Sequence, residues 1–395
     1  MIVDGVLMVK TPAFVVDTLA LKRNAAILQS VAERAGVRML LALKAFSMPS
    51  AAPYLYFVGT CASSVHEAQL GVEAFGGESH AFAAAFSESD MRALMQLGIH
   101  HVTLNSFEQL ARWRRIAASL NHTSTQVGLR INPEHSEGQV PIYDPCAPKS
   151  RLGIRRSAFE GQDLNGISGL HCHNLCEQNA DCFVRTLAAI EAKFGDLLPQ
   201  IQWFNFGGGH HITREDYDRE LLIATLQDFR RRYPHITCYL EPGEAHVLKA
   251  GTFVCTVLDV VENEVPIVVL DGSAACHTPD VIEMPYTPRV FLDEAWSGEA
   301  EPRSPALRAG LPGERPVEVR LTGPSCLAGD VFGDYSFDRV PQIGDRLYFE
   351  DMALYTMVKT NTFNGICLPD LVLRTAPNTF ETVRTFGYND FRSRL

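Results

Sequence analysis

Nowhere in the 395 residues does an apolar stretch approach the roughly 18 to 20 residues needed to span a bilayer. The first seventeen residues likewise lack the basic region, apolar stretch and cleavage site of an export signal. The expectation is a soluble cytoplasmic protein with no membrane partner. Clustered cations are also missing: Lys and Arg number 35 against 46 Asp and Glu, a net charge of −11 at pH 7. Phosphate backbones are held by concentrated Lys and Arg, so nucleic acid is excluded as a partner, whereas a cationic small molecule is tolerated. The ten cysteines contain no CxxC pair, and in a chain this long that favours reduced thiols over a disulfide framework.

A metal site is not expected either. His171-Cys172-His173, followed by Cys176 and Cys182, is the densest concentration of ligand-type residues. Alternate residues of a strand face opposite sides, which sets both histidines against Cys172, and no second cluster has zinc-like spacing. What remains is an ordinary globular composition, 46% hydrophobic and 21% charged, with length for two packed domains.

Short β-branched apolar runs recur at 39–44, 56–60, 79–84, 101–105, 127–131, 167–173, 202–206 and 237–241. Helical periodicity fills the gaps, as at 107–120 with Leu110, Trp113 and Ala117 on one face, and at 214–232 with Leu221, Leu222, Leu226 and Phe229. About eight strand-helix units predict a (β/α)8 barrel over 18–242 rather than an open sheet. Beyond it, strands at 252–261, 267–270, 317–321 and 346–350 without long helices predict a mainly β domain over 243–395. Phe14 to Val16 are expected to lend it a strand, so 1–17 belongs there too. Residues 293–316, rich in Pro, Gly and Glu, read as an exposed connector.

Barrel sites lie at the C-terminal ends of strands, so polar residues closing an apolar strand carry the chemistry. Lys44 ends Met-Leu-Leu-Ala-Leu-Lys, and an amine desolvated there is a nucleophile toward an aldehyde. A lysine that merely reaches solvent is the competing reading. Gly207, Gly208 and Gly209 follow Trp-Phe-Asn-Phe; without Cβ atoms their N–H groups can approach an anion, and a helix begun near Thr213 would add its positive end. A tight strand-to-helix turn explains the same glycines. Glu241 ends Cys-Tyr-Leu-Glu, where a carboxylate can pair with a protonated ring nitrogen or, more simply, with Arg130.

Together with Ala42-Leu43-Lys44, His171-Cys172-His173-Asn174, Glu241-Pro242-Gly243, Gly323-Pro324-Ser325-Cys326 and the run from Tyr355 to Gly365, these residues resemble the fold-type III decarboxylases that use pyridoxal 5′-phosphate (PLP). The group includes ornithine, arginine and diaminopimelate decarboxylases and shares its barrel with alanine racemase. The resemblance runs in order from about Thr11 to about Leu373. It implies PLP as cofactor, bonded to Lys44, with His173 stacked on its ring and His171 less certain. It also implies Glu241 on the ring nitrogen, and Gly207, Gly208, Gly209 and Tyr355 on the phosphate. Cys326 would come from the partner subunit of a homodimer with shared sites and return a proton to Cα after carbon dioxide leaves. His-Asn-Leu-Cys departs from the usual His-x-Gly-Ser, leaving that serine's contact unassigned.

Two positions bear on the substrate. Diaminopimelate decarboxylases follow Glu-Pro-Gly with Arg and carry Arg after an Asp-Leu-Met stretch, both suited to a second carboxylate. Here Glu244 and Glu283 stand instead, with Asp280 beside the latter, and Asp330 completes the candidate substrate set. Acidic acceptors favour a substrate with an amine at its far end, unless Glu244 and Glu283 are solvated or pair with Arg289. The runs around Glu177 and Glu244 look most like carboxynorspermidine/carboxyspermidine decarboxylases, which implies norspermidine or spermidine as product. Decarboxylation of diaminopimelate, ornithine or another basic amino acid is the alternative. A non-catalytic PLP-binding homologue would be expected to have lost the proton donor or the phosphate contacts, whereas Lys44, Glu241, Cys326 and Tyr355 are all present; a racemase would need a second acid/base and gives no reason for Glu241.

Overall fold

The computed structural model describes residues 2–3, 6–7, 9–138, 141–293 and 308–395, with no account of the side chains of residues 2–3, 6–7, 142 and 293. Most of the expected connector, 294–307, lies outside the described residues. The chain divides into two compact units, Asn24–His246 and Met1–Arg23 with Val247–Leu395, the boundary falling within the helix Thr18–Ala35.

The first unit is a closed parallel barrel. Its strands, in order, are Arg38–Ala42, Gly59–Ala62, Glu78–Phe82, His101–Leu104, Gln126–Asn132, Ile167–His171, Trp203–Asn205 and Thr237–Leu240. Each pairs in parallel with the next, and the eighth returns to the first, Tyr239 lying beside Arg38 and Leu240 beside Met39. Strands covered on both faces are written as continuous apolar runs, which is why all eight were readable. Trp203 is 2% exposed inside the barrel, stacked on His101 at 4.5 Å and donating to Ser168 Oγ. Gly128 and Gly169 make room for that indole, since a Cβ on either would overlap it.

The helix Phe107–Leu120 coincides with its sequence pattern, and Ser106 caps it by accepting from Gln109 N–H. The helix read from 214 starts later, at Arg219, where Asp218 accepts from Leu221 N–H. Residues 213–218 are not helical, so the helix expected from near Thr213 does not begin beside the glycines; the Asp218 cap outweighed an apolar pattern that runs further back.

In the second unit Gly251–Asn263 is the central strand. It pairs antiparallel with Val265–Leu270, Arg346–Glu350 and Ala13–Asp17, the last placing the N-terminal strand as the pattern suggested. Ala13–Asp17 then pairs in parallel with Asp370–Ala376, which forms a hairpin with Thr379–Arg384 across Pro377-Asn378. That hairpin and Val331–Phe337, interrupted by Gly333 and Asp334, were not read from the sequence. No helix among the described residues is long and apolar enough to cross a membrane.

Several histidines are buried uncharged. Burial lowers His101 to about 3 and His210, His246 and His277 to about 4. In the unfolded chain each titrates near 6.5, so below that pH the unfolded state binds protons that the folded state refuses. Stability is therefore complete above about pH 6.5 and lost on acidification. From about pH 7.5 to 5.5 each histidine costs roughly 1.4 kcal/mol, or about 5 kcal/mol for the four together. Thermal melts across that window should show a falling melting temperature, and a constant or rising one would refute the account.

Candidate active site

The barrel mouth brings Lys44, His171, His173, the three glycines and Glu241 onto neighbouring strand ends. Lys44 follows the first strand, and its Nζ stands 3.4 Å from His173 Nε2. His173 is held from two sides: Gly208 N–H donates to its Nδ1 at 3.1 Å and Arg130 donates to its carbonyl at 2.6 Å. Burial, Lys44 and Arg130 all push the His173 imidazole well below its ordinary range. A neutral ring whose Nδ1 accepts carries its proton on Nε2, facing the Lys44 amine. The rings of His171 and His173 lie nearly parallel, 18° apart with centroids at 6.3 Å, on one face as strand alternation requires.

Glu241 is 8% exposed and does not pair with Arg130. Asn205 Nδ2 donates to its Oε1 at 2.5 Å, and His171 Nε2 stands 3.4 Å from Oε2. Burial works to raise this carboxyl, but His171, the Cys61 thiol and His173 outweigh it and hold the group far below the usual carboxylate range. Burial lowers the His171 imidazole while Glu241 works to raise it. The result is a buried carboxylate with acceptor capacity to spare.

The glycines answer to their own chain as well as to any anion. A Cβ on Gly207 would stand 2.7 Å from the Cys172 carbonyl, one on Gly208 would overlap the Glu241 carbonyl, and one on Gly209, at φ +81°, the Leu175 carbonyl. Two of their N–H groups are committed, Gly207 to Asn205 Oδ1 at 2.9 Å and Gly208 to His173. Gly209 N–H is uncommitted among the described residues, which narrows the expected anion cradle to that end of the turn.

Glu244, just beyond, is partly buried rather than solvated. Its Oε2 is 2.7 Å from His211 Nε2, and Glu177 completes a trio whose ligand-type atoms lie within 4.8 Å of one another. Burial works against a charged His211, but the Glu244 hydrogen bond more than compensates and raises it. Burial and Glu244 raise the Glu177 carboxyl.

In the β unit, Cys326 is exposed, and its thiol and backbone N–H both donate to Asn364 Oδ1 at 3.0 Å. Tyr355 begins the turn Thr356–Lys359 with φ +42°, an uncommon conformation that candidate sites often retain. Two expectations need correction. Asp330 is 2% exposed and accepts from Ser273 Oγ, Ala275 N–H and Ser325 N–H, so it organises the loop before Cys326 and has no free oxygen for substrate. Asp280 and Glu283 are not bare acceptors: Lys359 Nζ lies 2.5 Å from the first and 3.0 Å from the second, cancelling one of their two charges.

Residues 13–353 match the family model described as pyridoxal-dependent decarboxylase, C-terminal sheet domain. This chain belongs to that family. Among curated proteins, the carboxyaminopropylagmatine decarboxylase of Synechocystis sp. is 41% identical, covering 98% of this chain and 95% of the relative. The carboxynorspermidine/carboxyspermidine decarboxylase of Campylobacter jejuni is 40% identical, with 98% of each covered. A solved Campylobacter jejuni carboxynorspermidine decarboxylase, complexed with norspermidine, is similar with a TM-score of 0.84 at 40% identity, covering 98% of this chain and all of that one.

For this pyridoxal-dependent decarboxylase, sequence reading missed Asn205 and His211. Both left a signal: a polar residue inside an otherwise apolar strand end, and a second histidine directly after the glycines and His210. Gly209→Ala should cost about 1–3 kcal/mol through forced positive φ and the Leu175 overlap, read by urea unfolding. An alanine variant as stable as the parent would contradict this packing of the turn.

Proposed function

We propose that this protein decarboxylates a carboxylated linear polyamine, carboxynorspermidine or carboxyspermidine, releasing norspermidine or spermidine, as a cytoplasmic homodimer with shared sites. The observation that carries the substrate class is Glu244, which stands after Glu-Pro-Gly beside His211 and Glu177 where a carboxylate-binding enzyme has Arg. Diaminopimelate would present a second carboxylate to this acidic trio, so it is disfavoured. The 41% identity to a carboxyaminopropylagmatine decarboxylase supports a second reading, in which the far end is a guanidinium gripped by two carboxylates.

The donor set fits PLP: a primary amine at a strand end, a buried carboxylate with spare acceptor capacity and an uncommitted N–H at Gly209. Lys44 would hold the aldehyde, His173 would cover the ring face, Glu241 would accept from the ring nitrogen, and Gly207 to Gly209 with Tyr355 would hold the phosphate. Bound PLP supplies an electron sink for the bond to the departing carboxylate. The chain's own residues do the rest. Glu241, kept ionised by its surroundings, favours a protonated ring nitrogen. Lys44, 3.4 Å from His173, would hold the cofactor in place at the strand end until substrate binds. The partner's Cys326 gives its proton to Cα, and the acidic trio fixes the substrate's far nitrogen so that the carboxylate is oriented for loss.

Carbon dioxide release should be measured from carboxynorspermidine, carboxyspermidine, carboxyaminopropylagmatine, diaminopimelate and ornithine. Faster turnover of diaminopimelate or ornithine than of every carboxypolyamine would overturn the assignment. A charge-assisted hydrogen bond is worth about 1.5–3 kcal/mol, so Glu244→Gln should lower kcat/KM by about 10- to 150-fold while cofactor absorbance stays intact. Borohydride should fix the cofactor to Lys44 by peptide mapping. Mixing Lys44→Ala subunits with Cys326→Ala subunits should restore amine release; no recovery after verified subunit exchange would remove the shared site.

A further inference from the structure

Cys326 is anchored by an unusually complete frame for an exposed residue. Its own loop is tied through Asp330, which accepts from Ser325 N–H and from Ser273 and Ala275, while Gly323 N–H donates to the Asp330 carbonyl at 2.8 Å. The facing loop is tied to the same short segment: Asn361 donates from its side chain to the Ala275 carbonyl and from its backbone to the Cys276 carbonyl, each at 2.8 Å. That segment is braced in turn by His277, whose Nδ1 accepts from Ser273 N–H and whose Nε2 donates to the Cys367 carbonyl. Both loops thus hang from Ser273–His277, and their closest meeting is the contact of Asn364 with Cys326. Asn364 adopts φ +56°, a conformation asparagine tolerates better than most residues, and this turns its amide toward the thiol. One oxygen then takes both the Cys326 N–H and its S–H at 3.0 Å.

We infer that Asn364 is a positioning residue for Cys326, its amide oxygen holding the thiol proton on sulfur and aiming it until Cα takes it. This rests on the reading of Cys326 as proton donor. An amide oxygen only accepts, so the contact is made by the S–H itself and fixes the direction of the proton that a donor delivers. In the step itself the S–H bond breaks and a Cα–H bond forms where carbon dioxide has left. The thiolate is reprotonated by solvent, which accounts for the one proton each decarboxylation consumes. Because Asn364 Oδ1 also holds the backbone N–H of Cys326, the acceptor cannot drift away from the sulfur between turnovers.

The test uses the holoenzyme with Asn364→Gly, which keeps the backbone at ease but removes the acceptor, and Asn364→Asp, which keeps an oxygen in place. Alkylation of Cys326 by iodoacetamide at one fixed near-neutral pH is followed by peptide mass mapping. The glycine variant should alkylate about 3- to 10-fold faster than the parent, the size of one hydrogen bond, and the aspartate variant no faster than the parent. The second readout is product identity. Bound PLP would offer a second place for a proton that fails to reach Cα, and the product would then be an aldehyde, its oxygen from water and its nitrogen left behind, in place of the amine. Asn364→Gly should raise the aldehyde fraction and Asn364→Asp should restore the amine. Parent-like alkylation or a parent-like product ratio in Asn364→Gly overturns the inference. If Cys326→Ala also leaves the product ratio unchanged, the reading of Cys326 as donor falls with it; if Cys326→Ala shifts the ratio and Asn364→Gly does not, only the role of Asn364 falls.

Discussion

A carboxylate taken out of water is stable as an anion only if its surroundings replace the lost hydration, and the barrel mouth is arranged around that demand at Glu241. Asn205 donates to one of its oxygens and His171 faces the other. The main chain is committed as well: Glu241 N–H donates to the Gly207 carbonyl at 2.8 Å, and its own carbonyl occupies the space a Cβ at 208 would need. The same Asn205 receives Gly207 N–H, and Gly208 N–H sets the tautomer of His173. One buried charge therefore couples the ends of the sixth, seventh and eighth strands, and the imidazole facing Lys44 is oriented by the turn that the carboxylate shapes.

The barrel was legible because each strand is buried on both faces, and hydrophobic runs of the right length between amphipathic helices leave few other architectures. The strand-end residues were legible for the complementary reason, that Lys44, His173 and Glu241 interrupt those runs. Asn205 and His211 interrupt them too but lie beside louder neighbours. The pairing of Ala13–Asp17 with Gly251–Asn263 could be suspected from pattern, whereas the hairpin Asp370–Arg384 partners a strand more than 350 residues away, a pairing no local period encodes. The contact between Cys326 and Asn364 is of the same kind: each residue lies in a motif, but only the shared Ser273–His277 support brings the two motifs together.

Counting charges along the chain was informative about sign and misleading about availability. Asp280 and Glu283 do mark an acidic patch, yet Lys359, from the run after Tyr355, already holds both. Glu244 marks another, and His211 already holds it. In the first group Lys359 bridges two carboxylates, and in the second Glu177 and Glu244 share His211, with Arg214 also acting on Glu177. An acidic group that is half neutralised by a protein cation is better prepared than a bare pair. Mutual repulsion between its carboxylates is relieved before substrate arrives. The reversal from Arg to Glu thus changes what the site can hold without requiring that any acid be left unpartnered, and a substrate rich in cationic nitrogens is the chemistry that such half-neutralised groups select.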